Sequence, residues 1–302
     1  MHLLARHARA RGWSTPVVLI VDHGLRETSA REARQVAGWA KEAGLKAYIL
    51  VWRGKKPQTG IEAAAREARY RLMGAWMARQ GIATLFVGHT EDDQAETFLL
   101  RLARGSGLDG LAGMRSHAPW PVAGYSALSV ARPLLGMSRK ALRAYLASLD
   151  QDWLEDPMNQ DEAFDRVKLR RAKAVLEEAG LSAARIAAAA AHLARARESL
   201  EIATQAVLAR AVRENAAGLL LDPEVLAAAP RELGLRALAS VLMAVSGQAY
   251  RPRFDSLERL FDVLARSKSR TSATLHGCHI GRAPKNFAPF SLLVQRENPR
   301  KA

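Results

Sequence analysis

The first hundred residues alternate two kinds of apolar pattern. Residues 17–21 form a short β-branched run after Thr15-Pro16, and residues 29–43 then show helical spacing that ends at Gly44. Residues 47–52 are strand-like again, and Thr59 stands where it can cap a helix from Ile61 to about Gln80, ended by Gly81. Residues 82–87 read as a third buried strand and residues 92–104 as a third helix, stopped by Gly105-Ser106-Gly107. Strands alternating with helices of this length need crossover connections, which give a parallel sheet covered by helices on both faces. Ligands of such sheets bind beyond the carboxyl ends of the strands. Chemistry is therefore expected just after Val21, Trp52 and Val87.

A Gly/Pro-rich stretch over residues 105–133 interrupts the alternation, followed by a helix over 138–149 and a polar segment over 153–171. The character of the chain changes around Gly180-Leu181-Ser182. From Ala183 to about Arg213 the chain reads as one long alanine-rich helix, with more helices near 223–229, 231–245 and 253–266. Residues 272–280 and 291–295 look like short strands. The expectation is a parallel α/β domain over residues 1–181 and a mostly helical domain with short C-terminal strands over 182–302.

Composition adds constraints. A chain of 302 residues with 49% hydrophobic and 25% charged residues can bury the cores of two ordinary globular domains. No apolar run approaches the roughly 20 residues that span a bilayer, so no membrane partner is expected. Cys278 is the one cysteine, which excludes an internal disulfide framework, a thiolate zinc cluster and a two-cysteine redox motif. That usage fits a reducing cytoplasm. Residues 1–12 are basic like an organelle-targeting helix, but they lead directly into a strand without a linker. The net charge of +15 favours a polyanionic partner, nucleic acid being the commonest. With aromatics at only 6%, recognition would rest on phosphate contacts and shape rather than on base stacking.

Four segments could carry chemistry. The sharpest is Gly88-His89-Thr90-Glu91-Asp92-Asp93-Gln94-Ala95-Glu96-Thr97, where a strand ends and a helix begins. Free backbone N–H groups and the positive helix end face the ligand crevice there. Helix capping explains one or two of its acids, but not the histidine and the aspartate pair together. Asp92 and Glu96 share a helical face, and a magnesium ion shared with substrate phosphates needs one or two such carboxylates. The second segment, Glu62 to Tyr70, places Glu62, Arg66, Arg69 and Tyr70 on one stripe, so two guanidiniums can point at a phosphate. An exposed face laced with salt bridges such as Glu62–Arg66 is the plainer explanation. The third, Arg101 to Met114, has glycines dense enough for backbone to approach a ligand, with Arg104 alongside. The fourth, Val21-Asp22-His23-Gly24-Leu25-Arg26, follows the first strand, where a lone histidine is either a turn residue or a ligand contact.

Together, in this order, the segments resemble the tRNA(Ile)-lysidine synthetases, a family within the PP-loop ATPases. The family's Val-Asp-His-Gly-Leu-Arg stretch is Val21 to Arg26, and its Glu-x-x-x-Arg-x-x-Arg-Tyr helix is Glu62 to Tyr70. Its Gly-His-x-x-Asp-Asp-Gln-x-Glu-Thr signature is Gly88 to Thr97, and its Arg-Gly-Ser-Gly-x-x-Gly-Leu-x-Gly-Met loop is matched by Arg104 to Met114. Arg132-Pro133-Leu134-Leu135 and Trp153-Leu154-Glu155-Asp156-Pro157-Met158-Asn159 are similar to later blocks.

The resemblance implies a cytoplasmic enzyme acting on tRNA(Ile) with a CAU anticodon, free L-lysine, ATP and Mg²⁺, with a homodimer as one compatible assembly. ATP adenylates the ring carbonyl oxygen of the wobble cytidine, and the amine of lysine then displaces AMP to give lysidine. On this reading Arg66 stabilises the charge at phosphorus, and Asp93 and His89 accept the proton of the amine. Asp92 and Glu96 serve the metal or lysine; Asp22, His23, Gly88 and Arg69 hold the nucleotide. Arg104, Arg132, Arg166, Lys168 and Arg170 hold tRNA.

Two departures stand out. Family members begin with a strand and a Ser-Gly-Gly-x-Asp-Ser loop whose amides hold the ATP pyrophosphate. Here Met1 falls where the following helix is already under way, at Leu3-Leu4-Ala5-Arg6, so a late start or a fragment is expected, with an open sheet edge. The family's Arg-Asn-Arg is replaced by Arg166-Val167-Lys168-Leu169-Arg170, where Lys168 keeps the charge without the guanidinium fork. The competing readings are a non-catalytic tRNA-binding remnant and another PP-loop tRNA-modifying enzyme; the lone cysteine argues against a tRNA thiolase.

Overall fold

The alternation of strand and helix is present in the computed structural model, which describes residues 1–154, 173–248, 250–266 and 272–297. The chain opens with α1 (His2–Ala10), β1 (Val18–Asp22), α2 (Ser29–Glu42) and β2 (Ala47–Val51). It continues with α3 (Ile61–Gln80), β3 (Thr84–Phe86) and α4 (Glu91–Ala103). Gly81 closes α3 at φ +66°, a left-handed conformation that glycine adopts without strain. The other end of α3 differs from expectation: Gly60, also left-handed, is the N-cap, and no side chain caps the helix.

The Gly/Pro-rich stretch holds more structure than its pattern suggests: α5 (Leu108–Leu111), β4 (His117–Pro119) and β5 (Ser129–Ala131). β3 and β5 run parallel with Phe86 opposite Ala131, whereas β4 returns antiparallel along β5. α6 (Arg139–Ala147) follows, its N-cap Ser138 accepting from the Ala141 N–H. α7 (Lys173–Glu178) comes after residues outside the described set.

β1 pairs in parallel with β2 from Val18 opposite Ala47 to Asp22 opposite Val51. Among the described residues that pair and the trio β3, β5 and β4 are separate sheets. What joins them is a common core on α3. Tyr70, Met73, Trp76 and Met77 of the helix pack with Trp120, Leu128 and Val130, and with Leu19, Val21, Leu50, Leu85 and Val87 from both sheets. Positions 70, 73, 74 and 77 follow the spacing of one helical face. Gly74 belongs to it because a Cβ there would lie 3.0 Å from the Trp120 Nε1.

The chain divides into two compact units, Met1–Ala191 and His192–Ala302, and the division falls inside the long helix α8 (Ala183–Ala211). This helix stops earlier than expected. Val212 starts a hairpin, β6 (Val212–Asn215) and β7 (Gly218–Leu221), whose turn is held by the Ala217 N–H donating to Asn215 Oδ1 at 2.9 Å. Then come α9 (Pro223–Ala228), α10 (Arg231–Ser246) and α11 (Phe254–Arg266). β8 (Ala273–Leu275), β9 (Cys278–Arg282) and β10 (Leu292–Arg296) end the described chain. The C-terminal strands thus form a continuous antiparallel sheet of five, in the order β6-β7-β10-β9-β8. Its apolar face, including Leu221, Cys278, Ile280, Leu292 and Val294, packs on Leu238, Leu242, Leu260 and Phe261 of the helices. Among the described residues no helix is long and apolar enough to cross a membrane.

Candidate functional site

Parallel pairing of β3 and β5 determines the geometry of the site. The Val87 N–H donates to the Ala131 carbonyl at 2.9 Å, so the two strands end together and carry His89 and Arg132 out at the same edge. α4 begins two residues after His89. Thr90 is its N-cap, donating from its N–H and its hydroxyl to Asp93 Oδ2 at 2.8 and 2.7 Å. Across the site, α3 presents Arg66 and Arg69 around the buried ring of Tyr70, with guanidinium carbons 5.1 and 5.6 Å from its centroid. Tyr70 is itself wedged edge-on against Trp120 at 5.4 Å.

His89 records this environment. Burial lowers its pKa to about 4; Asp93 opposes the shift, while Arg132, Arg66 and Arg69 reinforce it. The imidazole is therefore neutral at physiological pH, and its buried Nδ1 has no hydrogen-bond partner. Asp93, expected near Arg66, acts on the same imidazole as that arginine.

The acids are organised by a residue that the motif reading missed. The Arg139 main-chain N–H donates to Asp92 Oδ2 at 2.7 Å, and its guanidinium lies 3.2 Å from Asp93 Oδ1 and 3.8 Å from Glu96 Oε1. The Glu91 N–H donates to the Met137 carbonyl, so the N-termini of α4 and α6 are pinned together around these carboxylates. Two positive helix ends and a guanidinium offset the acidic charge. Among the described residues no three His, Cys, Asp or Glu converge as a metal cage.

Other candidates are placed differently. Asp22 is buried, accepting from the Gly24 N–H at 2.9 Å and from the Ser29 hydroxyl, and the serine bond leads the causes that hold its pKa below the usual range. It shapes the turn after β1. His23 stands edge-on to Trp52, 6.3 Å between centroids, at the carboxyl ends of β1 and β2. Gly88 is exposed, with open space where a Cβ would sit. Arg104 is exposed at the end of α4. Arg166, Lys168 and Arg170 lie outside the described residues.

Two plainer explanations can now be judged. Glu62 does not pair with Arg66, whereas Arg71 pairs with Glu67 on that helix, at 2.7 Å. The glycine-rich loop, by contrast, folds back on α4. Arg101 donates to the carbonyls of Gly110 and Gly113, Gln94 exchanges two hydrogen bonds with Met114, and a Cβ at Gly113 would lie 2.7 Å from Gln94 Oε1. Gly110 and Gly113 thus make room for protein, whereas Gly105 and Gly107 have open space where a Cβ would sit. Arg132 is only 7% exposed.

Residues 1–177 match the model of the PP-loop domain family. A tRNA(Ile)-lysidine synthase from Methylobacterium nodulans is 40% identical over 291 residues, covering 95% of this chain and 84% of the relative. One from Wolbachia pipientis wMel is 33% identical over 302 residues, 99% of this chain and 68% of the relative. One from Ruegeria pomeroyi is 39% identical over 280 residues, and the matched chain spans 65% of its length and 93% of the present one. Among solved structures, the U34-tRNA thiolase NcsA from Methanococcus maripaludis, with its 4Fe-4S cluster, superposes with a TM-score of 0.50. That match covers 66% of this chain and 67% of the thiolase at 12% identity, a likeness of fold.

Proposed function

Because the chain belongs to the tRNA(Ile)-lysidine synthase family and carries its PP-loop domain, we propose that it joins free L-lysine to the wobble cytidine of tRNA(Ile) at the expense of ATP. The observation that carries this reading is the meeting of Arg66, His89 and Arg132 with the Asp92–Asp93–Glu96 group at the carboxyl ends of β3 and β5.

The chemistry has two steps. The carbonyl oxygen of the cytosine attacks the α-phosphorus of ATP; an O–P bond forms, the α,β-bridging bond breaks and pyrophosphate leaves. The amine of lysine then attacks the activated ring carbon; a C–N bond forms, the C–O bond to AMP breaks and the amine loses its proton. Arg66, exposed and without an acid partner among the described residues, offsets the charge that builds at phosphorus. His89 is neutral and its Nδ1 is buried without a hydrogen-bond partner among the described residues, so it stands with Asp93 as a candidate to accept the amine proton. The Asp93 oxygens already accept from Thr90 and Arg139. Asp22 and His23 shape the nucleotide side at the end of β1, and Gly88 leaves backbone open to the ligand, with Arg69 beside it. Arg104, Arg166, Lys168 and Arg170 bind tRNA.

Magnesium would accompany ATP. With no three-residue cage, the donors fit an ion shared with phosphates and held by one or two carboxylates of Asp92 and Glu96. Bound there it would offset phosphate charge.

Incubation of the chain with ATP, labelled lysine and a CAU-anticodon tRNA(Ile) tests the proposal. Label should enter the tRNA with release of AMP and pyrophosphate. Binding of tRNA with no label transfer and no AMP would overturn it in favour of a non-catalytic RNA-binding protein.

A further inference from the structure

Arg132 has an environment unlike that of any surface arginine. Its main-chain N–H donates to the Ser116 carbonyl at 2.7 Å, and one terminal nitrogen donates to the Arg115 carbonyl at 3.0 Å. Its Nε is buried and has no hydrogen-bond partner. No carboxylate pairs with it among the described residues. Guanidinium cannot shed its charge at any physiological pH, so burial without an anion is unfavourable. Such a group is stable where an anion completes it.

The neighbours point the same way. His89 leaves the adjacent parallel strand at the same edge, and its Nδ1 is likewise buried and unpartnered. Arg66 stands nearby on the Tyr70 ring with no ion pair among the described residues. The acid that shares this corner, Asp93, is already held by Thr90 and Arg139. Positive charge therefore exceeds negative charge in a corner that opens at the ends of two strands. A guanidinium this deep is within reach of a small anion entering the corner, but not of the sugar–phosphate backbone of a folded RNA.

We propose that Arg132 is a phosphoryl-binding residue that acts with Arg66 on the nucleotide or its pyrophosphate product, and is not part of the tRNA-binding surface. This rests on the reading of the site as one that handles ATP. Its fork geometry offers Nε–H and the second terminal nitrogen side by side, suited to two phosphoryl oxygens.

The test compares the full chain with Arg132→Gln, Arg132→Lys and Arg104→Gln, measuring binding of inorganic pyrophosphate, AMP and tRNA separately. Arg132→Gln should weaken pyrophosphate binding at least tenfold and change tRNA binding less than twofold. Arg132→Lys should recover part of the loss. Arg104→Gln should do the reverse, weakening tRNA alone. Equal loss of tRNA and pyrophosphate in Arg132→Gln would assign the residue to RNA, and unchanged pyrophosphate binding would overturn the proposal. Should the glutamine variant not fold, the unmutated chain decides. Its Arg132 Nε–H resonance should move on adding pyrophosphate and stay in place on adding tRNA, and a resonance unmoved at saturating pyrophosphate overturns the proposal. The two readings fail separately. Arg132-dependent pyrophosphate binding without lysidine formation sinks the synthase reading alone; lysidine formation with intact pyrophosphate binding in Arg132→Gln sinks this one alone.

Discussion

The acidic and the basic halves of the site stand within a few residues of each other and are built in opposite ways. Asp92, Asp93 and Glu96 each meet Arg139, through its main chain or its guanidinium, and Asp93 also caps α4. Among the described residues Arg66 and Arg132 meet no acid, and His89 has an unpartnered nitrogen. The first arrangement is architecture, a clasp between two helix ends. The second is an unfilled requirement for negative charge. Charged residues in one motif can thus serve two purposes, and what separates them is whether the folded protein already supplies the partner.

The comparison can be broken most forcefully at Arg66. Arg66→Ala should reduce lysidine formation about 100-fold or more, as loss of a charge-stabilising donor does. Its unfolding free energy should stay within about 0.5 kcal/mol, as for a surface residue without partners. A large stability loss would make Arg66 architectural too. Arg139→Ala should behave oppositely, removing on the order of 1–3 kcal/mol of stability by leaving Asp93 and Glu96 short of a partner. The clasp is partly solvated, with the Arg139 side chain 36% exposed, so the lower end is expected in urea unfolding.

A subtler separation comes from pH. The folded pKa of His89 is about 4 against an ordinary 6.5, so between these values the unfolded chain binds a proton that the folded chain does not. Its contribution to stability is complete above pH 6.5 and declines as pH falls toward 4. His89→Gln should flatten that limb of the stability profile; an identical profile in the variant would show that the imidazole is not held neutral. The smallest effect belongs to Glu62. A double-mutant cycle between Glu62→Ala and Arg66→Ala should give a coupling near zero, and a clear coupling would restore the exposed salt bridge as the role of Arg66.

The elements around the site were legible because apolar runs and glycine stops coincide. β1, α2, β2, α3 and α4 begin and end close to the patterned positions. β4 and β5 were not, because three-residue strands leave no period to detect. The hairpin of β6 and β7 went unassigned between the alanine-rich helix and the next one, because strands of four residues leave little period to detect. The acidic motif and the Arg66–Arg69 pair could be read locally, since helical spacing places them. Arg139 could not, as its carboxylate partners lie 46 and 47 residues away in the chain. The burial of Arg132 was hidden for a related reason: a lone arginine before Pro133 carries no sign of it, since it depends on β3 and β5 lying side by side.

The break between the two sheets of the N-terminal unit has a consequence for local opening. β1, α2 and β2 form a ladder of their own, attached to the rest of that core through Leu19, Val21 and Leu50 packing with the α3 cluster. Releasing this segment would disrupt apolar contacts but none of the main-chain bonds between β3 and β5. Its amides should therefore exchange with solvent as one cooperative group, at lower free energy than those of β3 and β5. The turn at Asp22 and His23 belongs to this group, so a ligand bound there would slow exchange throughout the segment.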